Sequence, residues 1–376
     1  MPLISVIIPV YNVEQYLPEC LDSVLGQPAG SILAGSIEVI AVDDASADGS
    51  GALLDDRAAA DPRLRVVHLE SNVGQGHARN TGLTMASGEY VWFVDGDDRL
   101  EDGALAAVEA RLTAPGGRPD VLLIDWVSRY PDGRTEPSPG RGLLARVPAE
   151  GCTLAQLPRL IDLTMTSWSK LLRRGFLDKL GVTFAAGVHE DILVTCAALL
   201  AADSIAAVDQ VCYGYRRDRR GSAMATASTG HLAIFSSYER VFDLVAARRA
   251  AGVEVSAAVR AALFERAIWH YTTVFQTTVL QTTVLQTRGF ATRGFATRGG
   301  LVPRSERRRY FARMHADFTK YRPAGYRPPP GARGLKFRLI ERGSYRLYSL
   351  LEPLNEVRLA VARLTARRGT RRAWQY

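Results

Sequence analysis

The sequence has few cysteines and no long apolar segment, and both absences limit what it can be. Four cysteines in 376 residues, without CxxC spacing, indicate neither a disulfide framework nor a zinc knuckle. No apolar run is long enough to cross a bilayer. The apolar start, Met1 to Val10, lacks the basic region and cleavage site of a signal peptide. We therefore expect a cytoplasmic protein in a reducing compartment.

The positive charge is concentrated near the C-terminus. The formal net charge is +8, and residues 333–376 contain eleven Lys or Arg against three acids, so the remaining residues are about neutral. Such a basic tail, with interleaved Leu, Tyr and Trp, could bind an anionic membrane surface or an anionic polymer. The alternative is a pair of helices that packs on the body of the protein and exposes its basic face to solvent. No RNA or DNA motif accompanies the charge, so no nucleic-acid partner is expected.

The first 125 residues alternate between strand and helix patterns. The strand patterns cover Ser5–Val10, Ile37–Val42, Leu64–Leu69, Tyr90–Val94 and Val121–Asp125. The helix patterns between them cover Val13–Gln27, Gly51–Ala60 and Gly76–Ala86. This alternation predicts right-handed βαβ units and an α/β fold with a mostly parallel sheet.

Acidic turns follow two of these strands. Asp95, Asp97 and Asp98 come after the strand that begins at Tyr90, and Asp43-Asp44 end the second strand. Turn acids often only bond nearby backbone amides. However, the carboxyl ends of parallel strands are also where α/β sheets bind ligands, and adjacent carboxylates repel one another unless a cation lies between them. A nucleotide diphosphate held through Mn²⁺ or Mg²⁺ is the natural interpretation.

A dinucleotide-binding enzyme is not predicted, although the alternation invites that comparison. The first strand-to-helix turn, Pro9 to Glu14, contains no glycine, whereas a dinucleotide fingerprint needs several there. Gly74 and Gly76 follow the third strand instead, and no acid follows at the distance expected for a ribose contact.

Four motifs taken together resemble the family 2 glycosyltransferases in order and spacing. They are Ile7–Asn12, Val42–Ser46, Asn72–Asn80 and Asp95–Asp98. A looser similarity continues through Trp168–Leu171, Phe184, Glu190-Asp191 and Tyr213–Arg216, so the resemblance covers about residues 3 to 220. It implies a GT-A fold and inverting transfer of a sugar from a nucleotide donor.

The resemblance also implies a donor site. Its expected donor-binding residues are Pro9, Tyr11, Glu14, Asp44, Arg79, Asp95 and Asp97. Tyr11 would stack on a pyrimidine base, Asp44 would accept the uracil N3 hydrogen, and Arg79 would contact the base or ribose. Asp98 is expected to ligate Mn²⁺ or Mg²⁺ directly, with Asp97 bridging. A turn role for Pro9 and a surface salt bridge for Arg79 remain alternatives.

On the acceptor side, inverting transfer needs a base that deprotonates the attacking hydroxyl. Asp191 matches the family's base, although acids that open a helix also serve as ordinary capping residues. We expect acceptor or phosphate contacts at Trp168, Lys170, Glu190, Arg216 and, just beyond the region of resemblance, His231. A core position for Trp168 is an equally good interpretation, and the basic cluster from Arg216 to Arg220 resembles a segment that closes over the pyrophosphate.

We therefore predict three regions and one activity. The regions are a GT-A catalytic domain (1–225), a helical region (226–330) with a low-complexity repeat at 272–299, and a basic tail (331–376) that contacts the inner face of the membrane. The predicted enzyme is a metal-dependent transferase that moves a sugar from a UDP-sugar to a polysaccharide or polyol-phosphate polymer of the cell envelope. A homo-oligomer is compatible with the sequence. A non-catalytic polymer-binding module and a sugar nucleotidyltransferase remain the alternatives.

Overall fold

The structure is a computed structural model of the chain. It describes residues 2–27, 37–114, 118–163, 165–217, 227–276, 278–282, 285–287, 290–292 and 296–351. By contact density the chain divides into two units. Unit 1 comprises Met1–Ala225 with Ser236–Arg266, and unit 2 comprises Thr226–Phe235 with Ala267–Tyr376. The predicted division into three regions stays a prediction.

Unit 1 begins with four parallel strands. They are β1 (Ile4–Val10), β2 (Ile37–Asp43), β3 (Leu64–His68) and β4 (Tyr90–Phe93), in the order β3-β2-β1-β4. The helices between them are α1 (Leu17–Leu25), α2 (Ser50–Ala60) and α3 (Gln75–Met85). Every residue of β1 and β4 is buried, as continuous apolar strands in a covered parallel sheet should be. In register, Val10 pairs with Asp43, and Asp43 pairs with His68, so the polar turns after these strands lie along one edge.

The first helix is shorter than the sequence pattern predicts. It begins at Leu17 instead of Val13, with Pro18 in its first turn, where the missing N–H of proline has no effect. The residues before it form a turn in which the amides of Tyr16 and Leu17 donate to the carbonyl of Val13. The turn after β1 is therefore longer than predicted.

The second half of unit 1 makes the sheet mixed. Its elements in chain order are β5 (Arg99–Leu100), α4 (Ala104–Thr113), β6 (Val121–Arg129), β7 (Thr135–Pro137), α5 (Arg141–Leu144), β8 (Lys170–Arg173), α6 (Arg174–Leu180), α7 (Ile192–Ala201) and β9 (Ile205–Arg216). Strand β8 lies between β4 and β6 and is antiparallel to both, whereas β6 and β9 are parallel. Within the described residues the sheet has nine strands, in the order β3-β2-β1-β4-β8-β6-β9-β5 with β7 beside β6.

The chain after residue 230 is mainly helical, as predicted. Its helices are α8 (Ala233–Ala250), α9 (Ala257–Gln276), α10 (Arg307–Tyr321) and α11 (Gly331–Glu341), and residues 345–351 form a further helical segment. Part of the repeat forms two short antiparallel pairs, β10 (Thr278–Thr282) with β13 (Ala296–Gly300) and β11 (Leu285–Thr287) with β12 (Phe290–Thr292). Most of the basic tail, residues 352–376, lies outside the described residues. Among the helices that are described, none has the length and hydropathy of a membrane span.

Candidate active site

The turn after β2 is fastened to the start of α3 by one carboxylate. The amides of Val73 and Gly74 donate to Oδ1 and Oδ2 of Asp44, at 2.7 and 2.8 Å. Asp44 is 2% exposed, and its neighbour Asp43 accepts from the amide of Ser46 at 3.1 Å. Both acids therefore fix the turn in this structure. The predicted contact of Asp44 with a uracil base stays a prediction.

The turn after β1 holds a second carboxylate and an exposed ring. The amide of Gly49, at the start of α2, donates to Oε2 of Glu14 at 2.9 Å. A Cβ at position 49 would lie 2.6 Å from Glu14 Oε1, so a larger residue there would displace the end of the Glu14 side chain. Tyr11 is 47% exposed, which leaves its ring accessible for stacking, whereas Pro9 lies inside β1. Glu14 therefore braces the turn, and Tyr11 is its exposed aromatic side chain.

Asp98 lies in the interior, held by the last strand of unit 1. Tyr213 Oη donates to its Oδ2, and the amide of Arg216 donates to its Oδ1, both at 2.7 Å. Tyr213 Oη also accepts from the amide of Asp95 at 3.1 Å. Burial, and then the charges of Asp97 and Asp95, raise the pKa of Asp98 well above its usual value. The tyrosine therefore ties the acidic turn to β9.

Arg79 joins the acidic turn to the predicted catalytic pair. Its Nη2 donates to Asp95 Oδ1 at 2.8 Å and its Nη1 donates to Glu190 Oε1 at 2.6 Å. The side chain is 2% exposed and lies over the ring of Phe184, 5.5 Å from its centroid. Burial alone would lower the pKa of Arg79, but the charges of Asp95 and Glu190 outweigh it and raise the pKa above its usual value. This is a buried bridge and not the surface salt bridge considered from the sequence.

Asp191 lies next to this bridge, at the start of α7. The amide of Ser167 donates to its Oδ2 at 3.3 Å. Burial, and then the charge of Glu190, raise the pKa of Asp191 to about 7, while the charges of Arg79 and Lys170 act in the opposite direction. His189, two positions before Asp191, has a positive φ of 65°. A carboxylate with such a pKa can accept a proton near neutral pH.

Trp168 and Lys170 lie in the interior. Trp168 is 4% exposed and stacks on Tyr213, with ring centroids 4.5 Å apart. Lys170 is 1% exposed, and its Nζ donates to Thr166 O at 2.8 Å and to Ser169 Oγ at 2.9 Å. Burial lowers its pKa to about 8, against the attraction of Asp191. In this structure Trp168 therefore supports the tyrosine that holds Asp98, and Lys170 acts on Asp191 through its charge.

The two remaining predicted contact residues, Arg216 and His231, belong to different units of the chain. Arg216 donates from Nε to the carbonyl of Asp97 at 2.8 Å, and its guanidinium lies 4.9 Å from the ring centroid of Tyr16. Arg216, at the end of β9, is thus attached to the acidic turn by a side-chain hydrogen bond. His231 is 1% exposed and belongs to unit 2, whereas the acids described above belong to unit 1. Arg219 and Arg220, which were predicted to close over a pyrophosphate, lie outside the described residues.

The acids of the turn after β4 suit a divalent cation by their chemistry. Carboxylate oxygens are hard ligands, and Mg²⁺ is commonly held by one or two carboxylates with substrate phosphates completing the shell. Within the described residues, no group of three or more His, Cys, Asp or Glu is arranged to hold a metal by itself. Asp95 and Asp97 are partly exposed, whereas Asp98 is 1% exposed with both oxygens accepting hydrogen bonds. The partly exposed acids are therefore the ones accessible to a cation that the donor brings with it.

Several residues of the site were not predicted from the sequence. Tyr213 holds Asp98, and Gln75 Nε2 donates to Asp95 Oδ1 at 2.8 Å. Asn80 and Phe184 exchange two hydrogen bonds, side-chain amide to backbone, at 2.9 and 3.0 Å, and so attach α3 to the segment before Glu190. The motif residues Asn80 and Tyr213 were noted, but their partners lie more than 100 positions away, so no local pattern reveals the contact.

Comparison with known proteins gives a family for this arrangement. The profile of the family described as "Glycosyl transferase family 2" matches residues 5–180. A curated relative, the uncharacterized glycosyltransferase EpsJ of Bacillus subtilis (strain 168), is 33% identical over 226 residues, 58% of this chain. The poly(ribitol-phosphate) β-N-acetylglucosaminyltransferase TarS of Staphylococcus aureus (strain Mu50 / ATCC 700699) is 31% identical over 226 residues, 59% of this chain. The alignments span 62% of EpsJ and 37% of TarS.

A solved structure shows the same fold. The crystal structure of S. aureus TarS 1–349 in complex with UDP-GlcNAc has a TM-score of 0.67 at 22% identity, and the match covers 95% of this chain and 92% of that one. The GT-A fold predicted from the sequence is therefore confirmed. Residues 5–180 match the family profile, and they contain β1 to β4, the acidic turns and Arg79. Residues 5–180 therefore match a Glycosyl transferase family 2 domain.

Proposed function

We propose that this chain is an inverting glycosyltransferase that moves a sugar from a UDP-sugar to a hydroxyl group of a cell-envelope polymer, such as a capsular polysaccharide or a teichoic acid. The observation that carries the proposal is the buried Arg79, which bonds both Asp95 of the acidic turn and Glu190 beside Asp191. A transferase needs its donor site and its base at a fixed separation, because the attacking oxygen must approach the anomeric carbon in line with the leaving group. Arg79 supplies such a fixed connection.

In the proposed reaction, Asp191 takes the proton of the acceptor hydroxyl. The acceptor oxygen forms a bond to the anomeric carbon as the bond to the nucleoside diphosphate breaks, and the diphosphate leaves with that electron pair. A pKa of about 7 keeps Asp191 largely ionised at slightly alkaline pH while it remains basic enough to accept the proton. Ser167 N–H orients the carboxylate, and the positive charge of Lys170 favours its ionised form.

The donor would lie over the turns after β1, β2 and β4. Tyr11, which is exposed, is the candidate for stacking on the base, and Asp95 and Asp97 would hold Mn²⁺ or Mg²⁺ together with the diphosphate. When bound, that cation would stabilise the negative charge of the departing diphosphate. The resemblance to TarS, which was solved with UDP-GlcNAc, makes a UDP-N-acetylhexosamine the first donor to test. The proposed contact of the basic tail with a membrane stays a prediction.

The test combines calorimetry with a transfer assay. UDP-GlcNAc, UDP-Glc, UDP-Gal and GDP-mannose are titrated with and without Mn²⁺ into the wild type and into Asp97→Asn, Asp191→Asn and Asp132→Asn. Asp132 is the control, because its side chain is 68% exposed in a turn of unit 1. We expect one UDP-sugar to bind in a metal-dependent manner and Asp97→Asn to weaken that binding. Asp191→Asn should keep the binding and lower kcat about 10²- to 10⁴-fold.

Other outcomes would select the alternatives. Binding of a polymer without binding of any nucleotide sugar would indicate a non-catalytic module. Release of pyrophosphate from UTP and a sugar 1-phosphate would indicate a nucleotidyltransferase. Equal loss of donor binding in Asp97→Asn and in the Asp132→Asn control would overturn the placement of the donor at the acidic turn.

A further inference from the structure

Unit 2 contains a pocket that the proposed reaction does not use. Its volume is about 560 Å³, within the range of typical ligand sites. It lies between α10 and the segment that follows α11, and all of its lining residues belong to unit 2. The lining includes Arg308, Phe311, His315, Gly343, Tyr345 and Arg346.

Two arginines give the lining of the pocket a positive charge. Arg308 and Arg346 are exposed, and within the described part of the chain neither forms an ion pair. Nearby arginines differ in this respect, since Arg309 pairs with Glu306 and Arg322 with Glu341. Residues 301–351 carry thirteen Lys or Arg and only three acids, so the surrounding field is also positive.

The base of the pocket is aromatic and ordered by packing. Phe311 is 2% exposed and meets the ring of Tyr345 edge-on, with centroids 5.5 Å apart. Tyr345 is partly exposed, and Arg308 lies 5.8 Å from its ring centroid. An aromatic ring beside arginines offers a surface for the apolar face of a sugar together with donors for an anionic group.

A histidine and a glycine complete the lining. His315 Nδ1 is 2.8 Å from the carbonyl of Ile340, which assigns the proton to Nδ1 and leaves Nε2 on the other side of the ring. A Cβ at Gly343 would lie 3.4 Å from that Nε2, and Gly343 has a positive φ of 64°. Glycine accommodates the positive φ of this turn. Because it has no side chain, it also leaves Nε2 of His315 uncovered on this side.

We propose that this pocket is a second, non-catalytic binding site for an anionic glycan, a polymer whose sugar or polyol units carry phosphate or carboxylate groups. Arg308 and Arg346 would bind the anionic group, and Tyr345 would pack against the neighbouring ring or polyol. The concave shape favours a chain segment over the flat surface of a bilayer. The inference rests on the proposed function only in expecting an anionic acceptor polymer.

Such a site would raise the local concentration of acceptor ends. A polymer held in unit 2 presents its other hydroxyls to the same molecule at an effective concentration set by the polymer's length and stiffness. The expected kinetic consequence is a lower KM for long acceptors than for short ones, at unchanged kcat.

The experiment measures polymer binding by full-length protein in calorimetry. The probes are poly(ribitol phosphate), polygalacturonate, neutral dextran, and vesicles of 30% phosphatidylglycerol in phosphatidylcholine. The test variant is Arg308→Gln/Arg346→Gln, and the matched control is Arg309→Gln/Arg342→Gln, which removes the same charge outside the pocket lining. Tyr345→Ala tests the aromatic surface, and thermal melting verifies that each variant is folded.

We expect the wild type to bind one anionic polymer and not dextran. The pocket variant should lose at least about tenfold in affinity, whereas the control should lose less than about threefold. Equal losses in the two double variants would overturn the site in favour of diffuse attraction, and so would binding confined to the vesicles, which would indicate a membrane surface. UDP-GlcNAc binding, measured on the same samples, should be unchanged in the pocket variant, so failure of this site and failure of the donor assignment remain distinguishable.

Discussion

Arg79 donates a hydrogen bond to Glu190 at 2.6 Å, across 111 positions of sequence and within the interior of unit 1. The same guanidinium bonds Asp95 through its other terminal nitrogen. One cation is thus shared by the acidic turn after β4 and by the residue that precedes the proposed base. Because a guanidinium is planar and its donors have fixed directions, the bridge sets the distance between these two acids.

We predict that Arg79→Met strongly destabilises the protein. Removing one member of a buried ion pair leaves charged partners without compensation and typically lowers the free energy of unfolding by about 3–5 kcal/mol. Arg79→Lys should recover only part of the lost stability, because an ammonium group cannot reproduce the fixed geometry with which the guanidinium donates to both carboxylates. Urea denaturation measures both effects.

The matched control is Arg57→Met, whose pair with Asp22 is exposed on both sides. That variant should lose less than about 1 kcal/mol. If Arg79→Met were no more destabilising than Arg57→Met, the bridge between the two acidic segments would not be the fixed connection that the proposed function requires.

Tyr213→Phe should loosen the acidic turn. Its hydroxyl donates to Asp98 and accepts from the amide of Asp95, so phenylalanine would leave a buried carboxylate oxygen and a buried amide without this partner. We expect a loss of about 1–3 kcal/mol in the free energy of unfolding, with weaker binding of the donor. Tyr130→Phe, which removes an exposed hydrogen bond to Glu136, serves as the comparison and should change neither quantity. If Tyr213→Phe lowered the stability but left the donor affinity unchanged, the hydroxyl would be needed for folding and not for donor binding.

The pH dependence of kcat/KM should report Asp191. Its pKa in the free protein is raised to about 7, and a base must be ionised to act, so kcat/KM should be low below that pH and rise through it. The charge of Lys170 lowers this pKa, so Lys170→Met should move the midpoint to higher pH by about 1. Lys179→Met, at an exposed position of α6, should leave the midpoint in place. A midpoint that moves equally in both variants would contradict the local effect.

His68 should make stability fall as pH rises above neutrality. Hydrogen bonds with Asp43, and then with Asp55, raise the pKa of His68 in the folded protein. A raised histidine pKa contributes stability that is fully present below the unfolded value and is lost as pH rises through the folded value. The effect should stay below about 1 kcal/mol, because the ring is 44% exposed.

The measurement for His68 is the urea midpoint at pH 6 and pH 8.5. His68→Gln should flatten the difference between the two, whereas His77→Gln, an exposed histidine on α3, should not. An identical pH dependence in wild type and His68→Gln would show that the acids around His68 do not favour its charged form.

The sequence by itself determined the first half of the fold and the type of site. Continuous apolar strands that alternate with helices are typical of a covered parallel sheet, so the alternation to residue 125 predicted the ends of β1 to β4 to within one residue. The acidic turns follow from the same argument, since parallel strands end at one edge. Local patterns sufficed there because each strand, turn and helix is contiguous in sequence.

The tertiary structure alone decided the antiparallel half of the sheet and the partners of the acids. Strand β8 inserts between β4 and β6, which no local pattern specifies, and Tyr213 reaches Asp98 across 115 positions. Trp168 and Lys170, predicted as ligand contacts, lie in the interior because β8 and the residues before it are buried between strands. A charged residue type indicates what chemistry is available. Whether Asp98 faces a cation or a tyrosine, and whether Arg79 faces solvent or two carboxylates, depends on contacts between distant segments that only packing fixes.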